Sequence, residues 1–211
     1  MMTSQNKNTY ISVAKTATAE ITEKTSTFIC NIGHVETESD AAAFIDKVKK
    51  QHYNAKHNVY AFLLADGYKK YTDDGEPSKT AGLPILEILE KSKITDTVCV
   101  VTRYFGGVLL GTGGLVRAYS AAAQAGIEAA GIVEMVRCNI FEAVLPYSQL
   151  STAEYILKKY NALIENKTYA ENITLTAALR FDVSDALEKE FSDTFGITVK
   201  LNRKGTEYRE L

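Results

Sequence analysis

The sequence predicts an α+β protein in two parts, and three observations lead there. Residues 58–65 and 97–102 are apolar on both faces, as buried central strands are. Helical patterns with a single apolar face alternate with these runs. From Arg137 onward the order becomes a self-contained β-α-β-β-α-β, the ferredoxin-like split arrangement. Gly131 closes the preceding helix, so a boundary is placed near Met135. The division is a flexible lead-in over 1–17, a first domain over 18–135 and a second over 136–211.

Residues 1–15 are polar and read as a frayed lead-in. Residues 18–35 read as two strands about a turn at 24–26, with Phe28, Cys30 and Ile32 sharing a face. Thr37 starts a helix, with Asp40 three residues on as a variant of the capping box. Ala41, Phe44, Ile45, Val48 and His52 then give that helix one buried face. The strand at 58–65 turns at Asp66 and Gly67 and returns through 68–72. Residues 73–79 form a polar loop. A helix over 82–92 tolerates Pro84 because it lies in the first turn. After the strand at 97–102 come five glycines within nine residues, Gly106, Gly107, Gly111, Gly113 and Gly114. The helix that follows, about 113–130, is so rich in Ala, Ser and Gly that a neighbour must pack very close to it.

In the second part, 137–145 is a strand and 147–160 a helix with Leu150, Ala153, Leu157 and Tyr160 inward. Two strands follow, the second alternating at Ile173, Leu175, Ala177, Leu179 and Phe181. The next helix places Val183, Leu187, Phe191 and Phe195 at four-residue steps and ends at Gly196. Ile197, Val199 and Leu201 suggest a last alternating strand.

Composition narrows the function classes. Hydrophobic and charged fractions of 45% and 24% belong to an ordinary soluble globular chain. A net charge of −2 gives no overall pull toward polyanions, so nucleic-acid binding needs a local basic patch. No apolar run approaches the roughly 20 residues that span a bilayer. The polar N-terminus does not resemble a secretory signal. Cys30, Cys99 and Cys138 lie in strand-like runs without a C-x-x-C pair and read as buried thiols in a reducing compartment. The expected location is the cytoplasm.

Two loops carry the candidate chemistry. The glycine loop, bracketed by Arg103 and Arg117, suits an anion, because glycine permits close backbone approach and a helix start offers free amides. It is not a Walker A loop, since Thr112 occupies the lysine position, nor a dinucleotide fingerprint, since Val116 stands where a third glycine belongs. The alternative is that the glycines only let the loop fold tightly against a neighbouring strand. The second loop, Asp73, Asp74, Gly75, Glu76, Pro77 and Ser78, holds three carboxylates within four residues. It does not match an EF-hand and reads as an Asx-type turn followed by a Ser or Thr helix cap, free to act as a recognition loop; no metal site is expected. A His–Asp–Ser set can be drawn from His57, Asp74 and Ser78, but nothing in the sequence brings them together. Lys56, Lys69, Lys70, Lys79, Arg103 and Arg117 are interleaved with Tyr68, Tyr71, Tyr104 and Tyr119, a mixture that can hold phosphates and stack on bases, or equally a solvated surface with the tyrosines half in the core.

The motif YTDDGEPSKTAGLPIL (71–86), with VTRYFGGVLLGTGGLVRAYS (101–120), resembles the signature of the YigZ/IMPACT family. GHVETESDAAAFI and AKHNVYAF upstream extend the resemblance over about residues 18–130. It implies a ribosomal-protein S-five domain-two-like fold for the first domain. For the second it implies a domain similar to the ferredoxin-like domains of elongation factor G. Eukaryotic members regulate translation initiation through a kinase activator, using an extra N-terminal domain in place of the short polar lead-in here. The family supplies no established catalytic residues, and Lys79 stands where it more often has a small one.

Three readings stay open. The first is a cytosolic, non-enzymatic translation factor that binds RNA or a ribosome-associated component without a cofactor. It would use Arg103, Gly106, Gly107, Gly111, Gly113, Gly114 and Arg117, with His57, Asp73, Asp74, Gly75, Glu76, Ser78 and Lys79 as the adjacent recognition loop. The second is an enzyme acting on a small phosphorylated ligand with Mg²⁺. The third is a protein-interaction module. None involves a membrane, and the oligomeric state is open.

Overall fold

The computed structural model describes residues 8–211. The described chain divides into two compact units, Tyr10–Val133 and a second comprising Glu134–Leu211 with the start of the described chain. Both are α+β, each with an antiparallel sheet. No helix among the described residues is long and apolar enough to cross a membrane.

In the first unit, β2 (Ala17–Glu23), β3 (Ser26–His34), β4 (His57–Leu63), β5 (Lys69–Thr72) and β6 (Thr97–Tyr104) form a sheet in the order β2-β3-β6-β4-β5. Helices α2 (Gly82–Lys91) and α3 (Gly111–Ala130) enclose a core with Phe28, Cys30, Ile32, Val59, Cys99 and Val101. Helix α1 (Glu38–Gln51) covers the other face through Ala41, Ile45 and Val48 against Phe62, Val98 and Val100. Strands β4 and β6 are therefore buried on both sides, which explains their unbroken apolar runs. The Thr37 hydroxyl accepts the Asp40 amide at 3.1 Å, as the capping pattern predicts.

Helix α3 meets the expected close neighbour. Ala118, Ala122, Ala123, Gly126 and Ala130 are buried, and a Cβ on Gly126 would collide with the Cys30 sulfur. Large side chains on this stripe would hold the helix off the sheet. The Cys30 and Cys99 sulfurs lie 3.4 Å apart, and both thiols are free.

The lead-in expectation over 1–17 needs correction. Thr9–Val13 form strand β1, and Ile11 bridges Ile94 while its carbonyl accepts the Thr95 amide at 2.8 Å. The Ser12 hydroxyl, fully buried, bonds the His34 ring at 3.0 Å. The short TYISV alternation is enough for a strand once a partner satisfies its backbone. Residues 1–7 of that lead-in lie outside the described residues.

In the second unit, β7 (Ile132–Leu145) pairs with both β9 (Ile173–Arg180) and β10 (Leu201–Glu210), and β8 (Leu163–Tyr169) lies beyond β9. Helices α4 (Leu150–Lys159) and α5 (Ser184–Phe195) pack through Leu157, Leu187 and Phe191 onto Phe141, Leu175 and Leu179. Burial pushes the Cys138 thiol up to about 11, so it is protonated at neutral pH. The last strand is not where alternation placed it. Ile197 is 90% exposed and Val199 is buried, in a turn after α5. The strand that pairs with β7 begins at Leu201 and is largely polar, because ladder bonds use the backbone and do not need apolar side chains.

Candidate functional site

The acidic loop between β5 and α2 directs its polar groups inward. One oxygen of Asp73 accepts the Lys79 amide at 2.7 Å, and the other accepts the amides of Ala81 at 3.1 Å and Gly82 at 2.9 Å. Asp73 thus supplies the cap that Ala81, at the N-cap position, lacks. This cap comes from eight residues before Ala81, so the capping expectation based on a nearby Ser or Thr is replaced. Lys79 has φ 63° and forms the tight turn despite its side chain, with its amide fixed by Asp73. A carboxylate oxygen of Asp74 accepts the Asn58 amide at 2.7 Å, and the Asp74 carbonyl accepts from His57 Nδ1 at 2.8 Å. His57 also lies under Gly75, at 3.5 Å from where a Cβ would stand.

Glu76 points beneath the loop. Its Oε1 accepts from Arg103 Nη1 at 2.7 Å and from the Tyr119 hydroxyl at 2.8 Å. The Arg103 and Glu76 side chains are only 7% and 4% exposed. The Arg103 guanidinium lies between the rings of Phe28 and Phe105, at 5.5 and 5.4 Å from their centroids, and donates to Ser26 Oγ at 3.4 Å. The Tyr119 hydroxyl is held well above the usual phenol range by burial and by the Glu76 charge, so it remains a donor. Three distant stretches, 73–78, 103–106 and 119, are therefore joined by one buried ion pair and the Tyr119 hydrogen bond to it.

The glycine loop lies outside this pair. The Gly106 amide donates to Ser26 Oγ at 3.3 Å, and a Cβ there would run into the Thr25 backbone. Gly107 and Gly111 have φ of 90° and 72°, which favours glycine. Gly111, Gly113 and Gly114 are not loop residues, because α3 begins at Gly111. That helix start has neither a side-chain cap nor an acidic residue in its first turn. A Cβ on Gly113 would lie 3.6 Å from Arg117 Nη1, so the exposed guanidinium folds back along the first turn. Lys24, at the tip of the β2–β3 hairpin, donates to the Leu109 carbonyl at 3.3 Å. Phe105, Val108, Leu109 and Val116 stay exposed at the same corner.

Arg103 is thus a buried positioning residue, whereas Arg117 is the outward one. His57 meets the Asp74 carbonyl and not its carboxylate, and Ser78 is exposed on the loop. Lys69 and Lys70 pair with Glu90 and Glu38. Sequence reasoning missed Ser26, Lys24 and the role of Tyr119. For Tyr119 a signal existed, its four-residue spacing from Leu115 on the buried face of α3.

Known proteins match this chain along both units. The Impact N-terminal domain family matches residues 24–127, and the domain of unknown function DUF1949 matches residues 144–196. IMPACT family member YvyE of Bacillus subtilis (strain 168) is 42% identical over 168 residues, covering 79% of this chain and 77% of that protein. IMPACT family member YigZ of Escherichia coli (strain K12) is 33% identical over 160 residues, covering 74% and 78%. A solved structure titled "Crystal structure of an hypothetical protein" superposes with a TM-score of 0.63 at 28% identity, covering 94% of this chain and 98% of that one. The chain belongs to the IMPACT family.

Proposed function

We propose that this IMPACT family chain is a non-catalytic, translation-associated factor of the cytoplasm that binds RNA or a ribonucleoprotein through its first unit. One observation carries the reading. The buried Glu76–Arg103 pair locks both family motifs together and leaves the amino end of α3, Arg117 and Lys24 facing outward at one corner. Free helix amides beside a cation suit a phosphate, and the attraction adds to the helix dipole. Arg103 acts here by positioning the loop. An enzyme using Mg²⁺ has less support, because protein donors already occupy oxygens of Asp73, Asp74 and Glu76.

We also read the first unit as ribosomal-protein S-five domain-two-like and the second as ferredoxin-like. The order β10-β7-β9-β8 in the second unit supports the latter, with its first and third strands central and all neighbours antiparallel. The functional test is filter binding of structured and single-stranded RNA over a salt series. Arg117→Ala with Lys24→Ala should weaken binding and flatten the salt dependence by roughly one unit of slope per lost phosphate contact. A wild type that binds neither RNA, or a double variant with unchanged affinity and slope, overturns the reading.

A further inference from the structure

The corner beside α3 has a feature that phosphate binding does not use. Leu109 is 81% exposed, with Phe105 at 49%, Val108 at 43% and Val116 at 36%. Phe105 is the one aromatic residue of the four and its ring already lies against the Arg103 guanidinium, while Val108, Leu109 and Val116 offer no aromatic face on which bases could stack. The loop is anchored, because Gly106 is fixed to Ser26 and Phe105 lies over the Arg103 guanidinium. An apolar ridge already held in place loses little further freedom when it is covered.

Two cations flank the ridge. The Lys24 ammonium rests on the Leu109 carbonyl, and Arg117 lies along the first turn of α3. No acidic residue occurs in the sequence from Thr97 to Ile127. Of the carboxylates nearby, Glu76 is already paired with Arg103, and Glu23 adjoins Lys24 on the hairpin. An apolar centre with a charged rim is the anatomy of a protein interface.

We propose that Phe105, Val108, Leu109 and Val116 form a docking ridge for a protein segment that is apolar at its centre and acidic at its flanks. The proposal rests on the same corner being a recognition surface and adds a second class of ligand to it. Lys24 and Arg117 attract the acidic flanks, and Leu109 and Val108 accept the apolar side chains.

The test pans the full chain against a phage library of random linear peptides, then measures synthesised winners in solution. Enriched sequences should join Leu, Ile or Phe to Asp or Glu. Leu109→Ser should bind them about tenfold more weakly or worse, as expected for an apolar anchor, with circular dichroism and thermal midpoint unchanged. Lys24→Glu with Arg117→Glu should lose them as well. The proposal is overturned by no enrichment, by winners that are basic or uncharged, or by equal binding to Leu109→Ser. A single-stranded RNA oligonucleotide separates the two readings. If Leu109→Ser weakens RNA binding and leaves peptides unaffected, the ridge is a nucleic-acid contact and the proposal fails. If no RNA binds while acidic peptides bind at Leu109, the docking ridge stands and the RNA reading falls.

Discussion

The acidic loop at 73–79 and the glycine loop at 105–110 meet at one ion pair but face opposite ways. In the first, Asp73, Asp74 and Glu76 each accept from backbone amides or from Arg103, and the loop closes on itself. In the second, Phe105, Val108 and Leu109 remain exposed beside the start of α3, which has no side-chain cap. The more charged motif is thus a scaffold, and the less charged one presents the surface.

The comparison breaks most directly at the shared pair. Glu76→Gln or Arg103→Met should each cost about 3–5 kcal/mol in urea unfolding, because one buried charge is left alone. Combining the two should recover part of that loss. A single-variant cost under about 1 kcal/mol would remove the pair as the element joining the loops.

The second expected effect contrasts two adjacent glycines. Gly106→Ala forces Cβ into the Thr25 backbone and should cost about 1–3 kcal/mol through overpacking. Gly107→Ala faces open space and meets only its left-handed φ, for a cost of about 1 kcal/mol. Equal thermal shifts would mean that the hairpin contact does not anchor the loop.

Asp73→Ala should destabilise by about 1 kcal/mol through loss of the α2 cap, and Asp73→Asn by less. Differential scanning calorimetry measures both, and a neutral Asp73→Ala would show that the acidic loop is not held by this cap.

A smaller effect isolates an acid outside both loops. Burial raises the Asp96 carboxyl above its ordinary value, partly opposed by the Ala65 amide. A raised folded value means that its stabilising contribution is present at low pH and is lost as pH rises through that value. Stability of Asp96→Asn should therefore gain on the wild type as pH rises from the ordinary carboxyl value through the raised one. A constant difference across that window would count against burial as the cause. At the small end, Leu109→Ser should change stability by no more than about 0.5 kcal/mol, since its side chain is mostly in water.

The sequence by itself determined the α+β class, most element positions and the family. Apolar periodicity, the Thr37 cap and the Gly131 stop act over a few residues, and local patterns report local structure. It also marked both motif loops as special. What it left undecided was which way their side chains face. Arg103 looks like an anion contact in sequence, and only β6 packing beside Ser26, Phe28 and Tyr119 turns it inward to Glu76. The same limit explains β1 and β10. Strand pairing depends on backbone groups that every residue carries, so Thr9–Val13 and Leu201–Glu210 became strands through partners far away in the chain. Periodicity records which faces are buried. The pairing of Glu76 with Arg103, 27 residues on, is decided only when the chain has folded, because the interaction falls off with distance in space and not with separation in sequence.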